Sequence, residues 1–554
     1  MQKSNNLFAS KSFSRCTANA RIPLKVQQLV CSVHGAIQLE STLSNRMLRS
    51  IVLFGSLAMA SYAHLVAMEP PVGSAAAASE KSNRVTPLVE VIRKIEPAVV
   101  SLFTPTEANQ IVSGSGTIIH PSGYALTNNH VLPKPNGFAI RANDKPVRFE
   151  VVSRYPESDI AIVRLNPPTG NQAAAYRWPF LPLGHSSETL LGESIVVAGN
   201  PGGRGMAFTS GIISAKDVLE GGPNAMIMSN YTNDRRGRLL QFDAASNKGN
   251  SGGPLVNMDA EVIGVVSAVI QGEQNIGLAV PVDRVRDLFK RMLEPELAHN
   301  KTTGLELDPF AKSGTITRVI TEGVADVNAT GEIQHDLQGG DTILSVNDFQ
   351  IRDAIDWYLV LESLLPTCDQ LRISYTRENV LRETTLKTSS APSQSVVSDR
   401  PTNKGLRYSI FEGSFSELPD FSKLTPVRSA TTDTLDIGGL TSDRPENFAM
   451  EFTGFLKVET DGLYRVVLIS DDGSKLYLND SLFIDHDGNH PAFPSGRMVR
   501  LQAGLLPVRI EYFQGNGAKT LHLVVEPCSD RRQISLVEMK LVQGERLRHD
   551  GETP

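Results

Sequence analysis

The stretch Asn247-Lys-Gly-Asn-Ser-Gly-Gly-Pro-Leu-Val256 sets one serine, Ser251, inside a glycine-rich turn that runs straight into an apolar strand. Glycine permits the tight backbone path that aims successive N–H groups at one point, and donors so placed stabilise a developing oxyanion. A serine hydroxyl is a poor nucleophile until a neighbouring base takes its proton. The turn therefore makes Ser251 a candidate nucleophile, with the N–H groups of Gly249 and Ser251 as oxyanion donors. Taken alone, the same residues read equally well as a hairpin turn, so the decision rests on what the rest of the chain supplies.

Two segments supply it. Tyr124-Ala-Leu-Thr-Asn-Asn-His130-Val131 ends a strand with a histidine, and Ser158-Asp159-Ile-Ala-Ile-Val-Arg-Leu165 opens a strand with an aspartate. Imidazole titrates near neutrality, and a carboxylate beside it fixes its tautomer and steadies the imidazolium. His130 is the candidate base and Asp159 its orienting acid. The order His, Asp, Ser is that of the chymotrypsin-like double β-barrel. Short apolar runs such as Ile111–Ile119, Ile160–Leu165, Ser194–Val197 and Val262–Val269, separated by Gly, Pro and Asn clusters, have the spacing of such barrels. His120 and His185 stand in HPSG and LGHSS, which read as surface turns without a catalytic role. After the barrels, Val282, Val285, Leu288, Phe289, Met292 and Leu293 recur at helical spacing, and Arg284, Arg286 and Lys290 are expected to face water.

The chain has 554 residues, enough for three or four domains at roughly 150 residues each. Lys and Arg total 54 against 60 Asp and Glu, a net charge of −6 that leaves no basic surplus for phosphates, so nucleic acid is excluded as an expected partner. Cys16, Cys31, Cys368 and Cys528 lack metal-ligand spacing, and no cofactor or metal site is expected; Cys368 and Cys528 are expected as unpaired thiols in separate folded units. Residues 47–63, MLRSIVLFGSLAMASYA, have the basic start, apolar run and small-residue end of a secretory signal; an uncleaved anchor reaching Met68 is the alternative. Residues 1–46, basic with a single acid at Glu40, read as a transit peptide, a long basic region, or sequence upstream of a start at Met47. Removing residues 1–63 would take away seven basic residues and one acidic one, deepening the negative balance.

The blocks Gly114-Ser-Gly-Thr-Ile-Ile119, LTNNHV, SDIAIVRL, AGNPGG and GNSGGPLVN resemble the signature segments of the high-temperature-requirement A (HtrA/Deg) family of exported serine proteases, from about Leu88 to Leu293. The resemblance implies an ATP-independent endopeptidase of the periplasm or cell envelope that cuts unfolded or damaged proteins and assembles as a trimer or larger homo-oligomer. Ala245, six residues before the nucleophile, falls where chymotrypsin-like enzymes set the base of the pocket for the side chain preceding the cut; without a carboxylate there, small or medium apolar side chains are expected. Asn250 before the nucleophile offers no acid to a new N-terminus, so activation by chain cleavage is not expected. The segment from Lys216 to Leu240 is longer than in typical relatives.

Residues 302–307, 314–319 and 338–347 resemble a PDZ domain, with Thr303, Gly304 and Leu305 as the loop that captures the carboxylate of a C-terminal peptide. The aromatic usual at the loop's start is missing, Val324 to Leu337 is enlarged, and the helix around Ala354 to Leu364 is expected to be amphipathic. Residues 389–404 hold five serines and two prolines and read as a linker. Beyond them, period-two alternation at Val499 and Leu501, at Val508, Ile510 and Tyr512, and at Leu521, Leu523 and Val525 predicts an antiparallel β-sandwich. Its motifs, including Ser470-Asp-Asp-Gly-Ser474 and Asp485-His-Asp-Gly-Asn-His490, resemble the module named after anthrax protective antigen, some members of which bind sugars through adjacent aspartates holding calcium.

The expected organisation is thus mainly β: an N-terminal extension and signal over 1–63, a flexible lead-in over 64–86, a trypsin-like protease domain over 87–300, a PDZ domain over 301–388, a linker over 389–404 and a sandwich over 405–547 that is a candidate carbohydrate-binding module. The alternative function is a binding scaffold or glycan-attached adhesin with a latent protease domain.

Overall fold

The computed structural model describes residues 84–550 apart from 107, 109, 143, 169–175, 220–237, 270–274, 320–335, 398–401, 444–445, 529–540 and 543. The expectations for residues 1–83, for most of the long segment between Lys216 and Leu240, and for most of the enlargement between Val324 and Leu337 lie outside the described residues.

Helix α1 (Pro87–Ile95) opens the fold. The Thr86 side chain caps it by accepting from Val89 N, proline stands at its start, and Arg93 and Lys94 complement the negative end of its dipole. Six strands then close into a barrel: β1 (Val99–Pro105), β2 (Ile111–Ile118), β3 (Tyr124–Asn128), β4 (Asn136–Ile140), β5 (Val147–Tyr155) and β6 (Ile160–Leu165), ordered β1-β2-β3-β6-β5-β4. A second barrel repeats the plan with β7 (Ser194–Gly199), β8 (Ala207–Leu219), β9 (Arg238–Phe242), β10 (Pro254–Val256), β11 (Val262–Val269) and β12 (Gly277–Pro281). Closure leaves no open sheet edge and gathers the apolar side chains of each barrel inside it.

Helix α2 (Val282–Leu293) buries the six apolar residues read from the sequence. It also buries Arg286, contrary to the expectation that this side chain faces water. Arg286 donates to the carbonyls of Leu183, Gly184 and Pro309 and pairs with Asp353 at 3.2 Å, because a further unit covers the helix face that periodicity alone assigns to solvent. That unit contains a five-strand path, Leu305–Leu307, Gly314–Val319, Thr342–Val346, Gln370–Arg377 and Val380–Lys387, with Phe349–Gln350 paired to its third member. Its helix lies between this sheet and the segment α2 to α3 (Pro295–His299), and is labelled α4 (Ala354–Leu364). The expected amphipathic pattern does not hold: Ala354 to Leu361 are all buried, since both sides of α4 are covered. One continuous apolar core runs from the first barrel through α2 into this unit.

His120 departs from the expected surface turn for the same reason. It is 2 % exposed, beside Asp356 and Arg352 of the covering unit, and burial together with the Arg352 charge pushes its pKa down to about 3. Arg352 stacks on Phe180 at 4.0 Å, and Tyr124 Oη meets Ser363 Oγ at 2.8 Å across the same boundary.

The C-terminal sandwich has an eight-stranded and a three-stranded antiparallel sheet. The alternating residues named above, Val499 to Val525, all enter its core. Part of the 389–404 segment lies along this domain: Gln394 N donates to Arg500 O at 2.8 Å, Val397 N to Leu505 O at 2.9 Å, and Thr402–Lys404 pairs with Leu547–Asp550. Cys368 and Cys528 are not disulfide-bonded. No helix among the described residues is long and apolar enough to cross a membrane.

Candidate active site

Sheet register brings His130 to Asp159. Strands β3 and β6 pair antiparallel with Asn128 opposite Ile160, so the residues just after β3 face the residue just before β6. Asp159 turns into β6 through a left-handed conformation, φ 52°, that ends the helical turn Pro156–Ser158. Hydrogen bonds from the β3 end fix it. Its carbonyl accepts from Asn129 N at 3.1 Å and Asn128 Nδ2 at 2.9 Å; its carboxylate accepts from His130 N at 2.9 Å and meets His130 Nδ1 at 2.7 Å. A carboxylate at that distance places the imidazole proton on Nδ1 and leaves the Nε2 lone pair to accept another.

The Ser251 turn is tied to the first barrel. Ser251 O accepts from Ser115 N at 2.8 Å, and Gly252 N donates to Val266 O at 2.8 Å. Gly252 has φ +83°, and a Cβ there would meet Ser115 O at 2.2 Å, so the first glycine after the serine is required by both conformation and space. Ser251 Oγ donates to Ser267 O at 3.2 Å, and Ser267 Oγ lies 3.4 Å from Asp159 Oδ2, so Ser267 links the candidate nucleophile to the candidate acid. Among the described residues, neither Gly249 N nor Ser251 N enters a hydrogen bond, which leaves both donors available.

Two residues of this site carry little sequence signal. Ser267 appears only as one hydroxyl inside the apolar strand β11. Ser115, fully buried, donates from Oγ to Gly249 O at 2.7 Å while the same oxygen accepts from Asn200 N at 2.9 Å. The GSG and AGNPGG blocks therefore meet behind the oxyanion turn. Ala245 is exposed at the end of the segment leaving β9, and its carbonyl accepts from Thr209 Oγ1 at 2.8 Å.

Thr303, Gly304 and Leu305 are buried. Thr303 N and Thr303 Oγ1 both donate to Glu296 Oε1 at 2.5 Å, while Gly304 N and Leu305 N donate to the hydroxyls of Thr302 and Thr303. Burial pushes the Glu296 carboxyl above the usual carboxylate range despite these donors. In the sandwich, Asp472 accepts from His490 N at 3.2 Å and Gly515 N at 2.9 Å. Burial and the neighbouring Asp472 push Asp471 up to about 6. Among the described residues no group of three or more His, Cys, Asp or Glu side chains is arranged to hold a metal.

The double barrel that carries these residues coincides with a family match: residues 114–265 match the family model for the trypsin-like peptidase domain. Residues 402–537 match the PA14 domain. The chain is 36% identical over 186 residues to the periplasmic serine endoprotease DegP of Salmonella typhimurium, covering 33% of this chain and 36% of that one. It is 27% identical over 277 residues to a probable periplasmic serine endoprotease, DegP-like, of Bartonella henselae, covering 47% of this chain and 50% of that one. The solved serine endoprotease from Yersinia pestis aligns with 56% of this chain and 99% of its own at 22% identity and a TM-score of 0.31. Over the region that matches the peptidase model the chain is thus similar to DegP-named serine endoproteases, and the region that matches the PA14 domain follows it. The chain spans half or less of the length of these two curated relatives.

Proposed function

We propose that this chain is an exported, ATP-independent serine endopeptidase that cleaves unfolded or damaged envelope proteins after small or medium apolar residues. The observation that carries the reading is the 2.7 Å contact of His130 Nδ1 with Asp159, in a cluster that Ser267 extends to Ser251. Catalysis begins when Ser251 Oγ leaves the Ser267 carbonyl for His130 Nε2 and attacks the scissile carbonyl, its proton passing to the imidazole. Asp159 stabilises the imidazolium, and the N–H groups of Gly249 and Ser251 hold the oxyanion. Collapse expels the amine with the proton from His130 and leaves an acyl-enzyme. Water then attacks the ester, giving a proton to His130; collapse breaks the ester C–O bond, returns that proton to Ser251 Oγ and releases the new C-terminal acid. Ala245 supplies no charge for a basic side chain before the cut. The periplasmic names of the relatives support export.

The unit over 301–388 acts as a PDZ-type module for C-terminal peptides, and the active form is a homo-oligomer, a trimer or larger. The PA14 domain attaches or targets the enzyme. A carbohydrate ligand for it draws support from a cleft of about 560 Å³ whose lining includes Leu418, Phe421, Glu451, Lys475, Tyr477 and Arg509. A second reading, a binding scaffold with a latent protease domain, draws on one observation: the Ser251 hydroxyl is spent on the Ser267 carbonyl.

Ser251→Ala in the full chain tests the enzyme reading. Cleavage of an unfolded protein should fall by about 10⁴- to 10⁶-fold, and labelling by a fluorophosphonate should vanish. Equal cleavage by both forms would end the proposal.

A further inference from the structure

The loop read as a carboxylate trap already holds a carboxylate. Glu296 Oε1 takes both the backbone N–H and the hydroxyl of Thr303 at 2.5 Å. The loop is buried, with Thr302, Thr303 and Leu305 at 8, 2 and 3 % exposure. Of its other N–H groups, those of Gly304 and Leu305 are turned onto the hydroxyls of Thr302 and Thr303, and that of Thr302 donates to Ser389 O at 2.8 Å. The carboxylate is delivered by α3, the short helix that follows the peptidase barrels, and α3 packs against α4.

Four ties hold that arrangement. Lys301 N donates to Glu296 O at 2.9 Å, and Lys301 Nζ reaches the carbonyls of Leu365 and Cys368 beyond the end of α4. His299 lies 3.4 Å from Glu362 of α4, and Lys290 of α2 pairs at 2.9 Å with Glu306 on the strand that leaves the loop. The peptidase side of the chain thus grips the loop, the strand and the helix that would frame a bound peptide.

We propose that the 302–305 loop is a carboxylate-binding site occupied in cis by Glu296, and that a peptide with a free C-terminus enters only when Glu296 and α3 withdraw. This deepens, and rests on, the PDZ-type reading of residues 301–388. Two donors on one carboxylate oxygen form the strong, charge-assisted kind of hydrogen bond. An entering α-carboxylate must displace them, so apparent affinity falls by the fraction of molecules with the loop open.

The test uses the full chain carrying Ser251→Ala, so that peptides stay intact, with and without Glu296→Ala. Binding of fluorescent peptides with apolar, free C-termini is compared with that of their C-terminally amidated forms, and melting temperature is measured with and without sodium acetate. Glu296→Ala should bind the free-carboxylate peptides on the order of 10- to 100-fold more tightly than the parent, with no gain for the amides. Acetate should raise its melting temperature and leave the parent unmoved. Glu296→Gln, which keeps the shape and one acceptor, should fall between.

Stabilisation by acetate without any peptide binding would keep Glu296 as the resident carboxylate and refute the PDZ-type reading together with peptide entry. Peptide binding as tight in the parent as in Glu296→Ala would overturn the cis occupancy. A Glu296→Ala protein that responds to neither acetate nor peptide would overturn the site itself.

Discussion

Ser115→Ala removes one oxygen that serves two backbone groups, one on each of two segments beside the candidate site. The hydroxyl donates to Gly249 O at 2.7 Å and accepts from Asn200 N at 2.9 Å, and the residue is fully buried, so water cannot replace it. Each group left unpaired costs about 1–3 kcal/mol, so about 6 kcal/mol is the ceiling if neither finds a new partner. Relaxation converts part of that cost into movement: once Gly249 O is released, the Gly249–Asn250 peptide can rotate, drawing Asn250 N off Asn247 O and loosening the turn that aims the Gly249 and Ser251 N–H groups. Loss of one such donor lowers kcat by about 10²- to 10³-fold. The expected outcome is therefore a kcat reduced by roughly 10- to 10³-fold, with KM little changed because Ser115 touches no substrate. Steady-state hydrolysis of a peptide amide with an apolar residue before the cut, alongside a thermal melt, measures both. A folded Ser115→Ala protein with the parent's kcat would refute the argument that this hydroxyl positions the oxyanion turn.

His120 makes stability depend on pH in a defined direction. Its pKa is near 3 in the folded chain and 6.5 as a free side chain, so the unfolded state binds the extra proton, and stability present above pH 6.5 is lost as pH falls toward 3. Glu294, raised to about 7 by burial, and Asp471, raised to about 6, act in the opposite sense over their own ranges, but they remain in a His120→Gln variant and cancel in the comparison. Between pH 6.5 and 5 the parent should lose about 2 kcal/mol more than the variant, read from urea midpoints; parallel pH profiles would disprove it. Arg286→Ala strips the buried side chain that joins α2, the Leu183–Gly184 carbonyls and Asp353, and should cost about 3–5 kcal/mol in chemical denaturation. A loss below about 1 kcal/mol would mean that the covering unit contributes little to that helix.

The local sequence contained much of the barrel and the sandwich. Period-two alternation at Val499 to Val525 and the apolar runs at Ile160–Leu165 and Val262–Val269 encode which faces are buried, because a strand's side chains alternate whatever its partner is. The Ser251 turn was equally legible, since close backbone approach at Gly252 tolerates no side chain. Tertiary structure alone decided the rest. Ser115 and Gly249 are 134 residues apart, and no local pattern records which hydroxyl meets which carbonyl when two barrels close on each other. Arg286 read as solvent-facing and α4 as amphipathic because helical periodicity describes one covered face; a second covering layer adds partners from distant segments without altering the period. Glu296 reached the 302–305 loop for the same reason: a carboxylate's charge is written in the sequence, but the donor it pairs with is fixed only when the chain has folded back on itself.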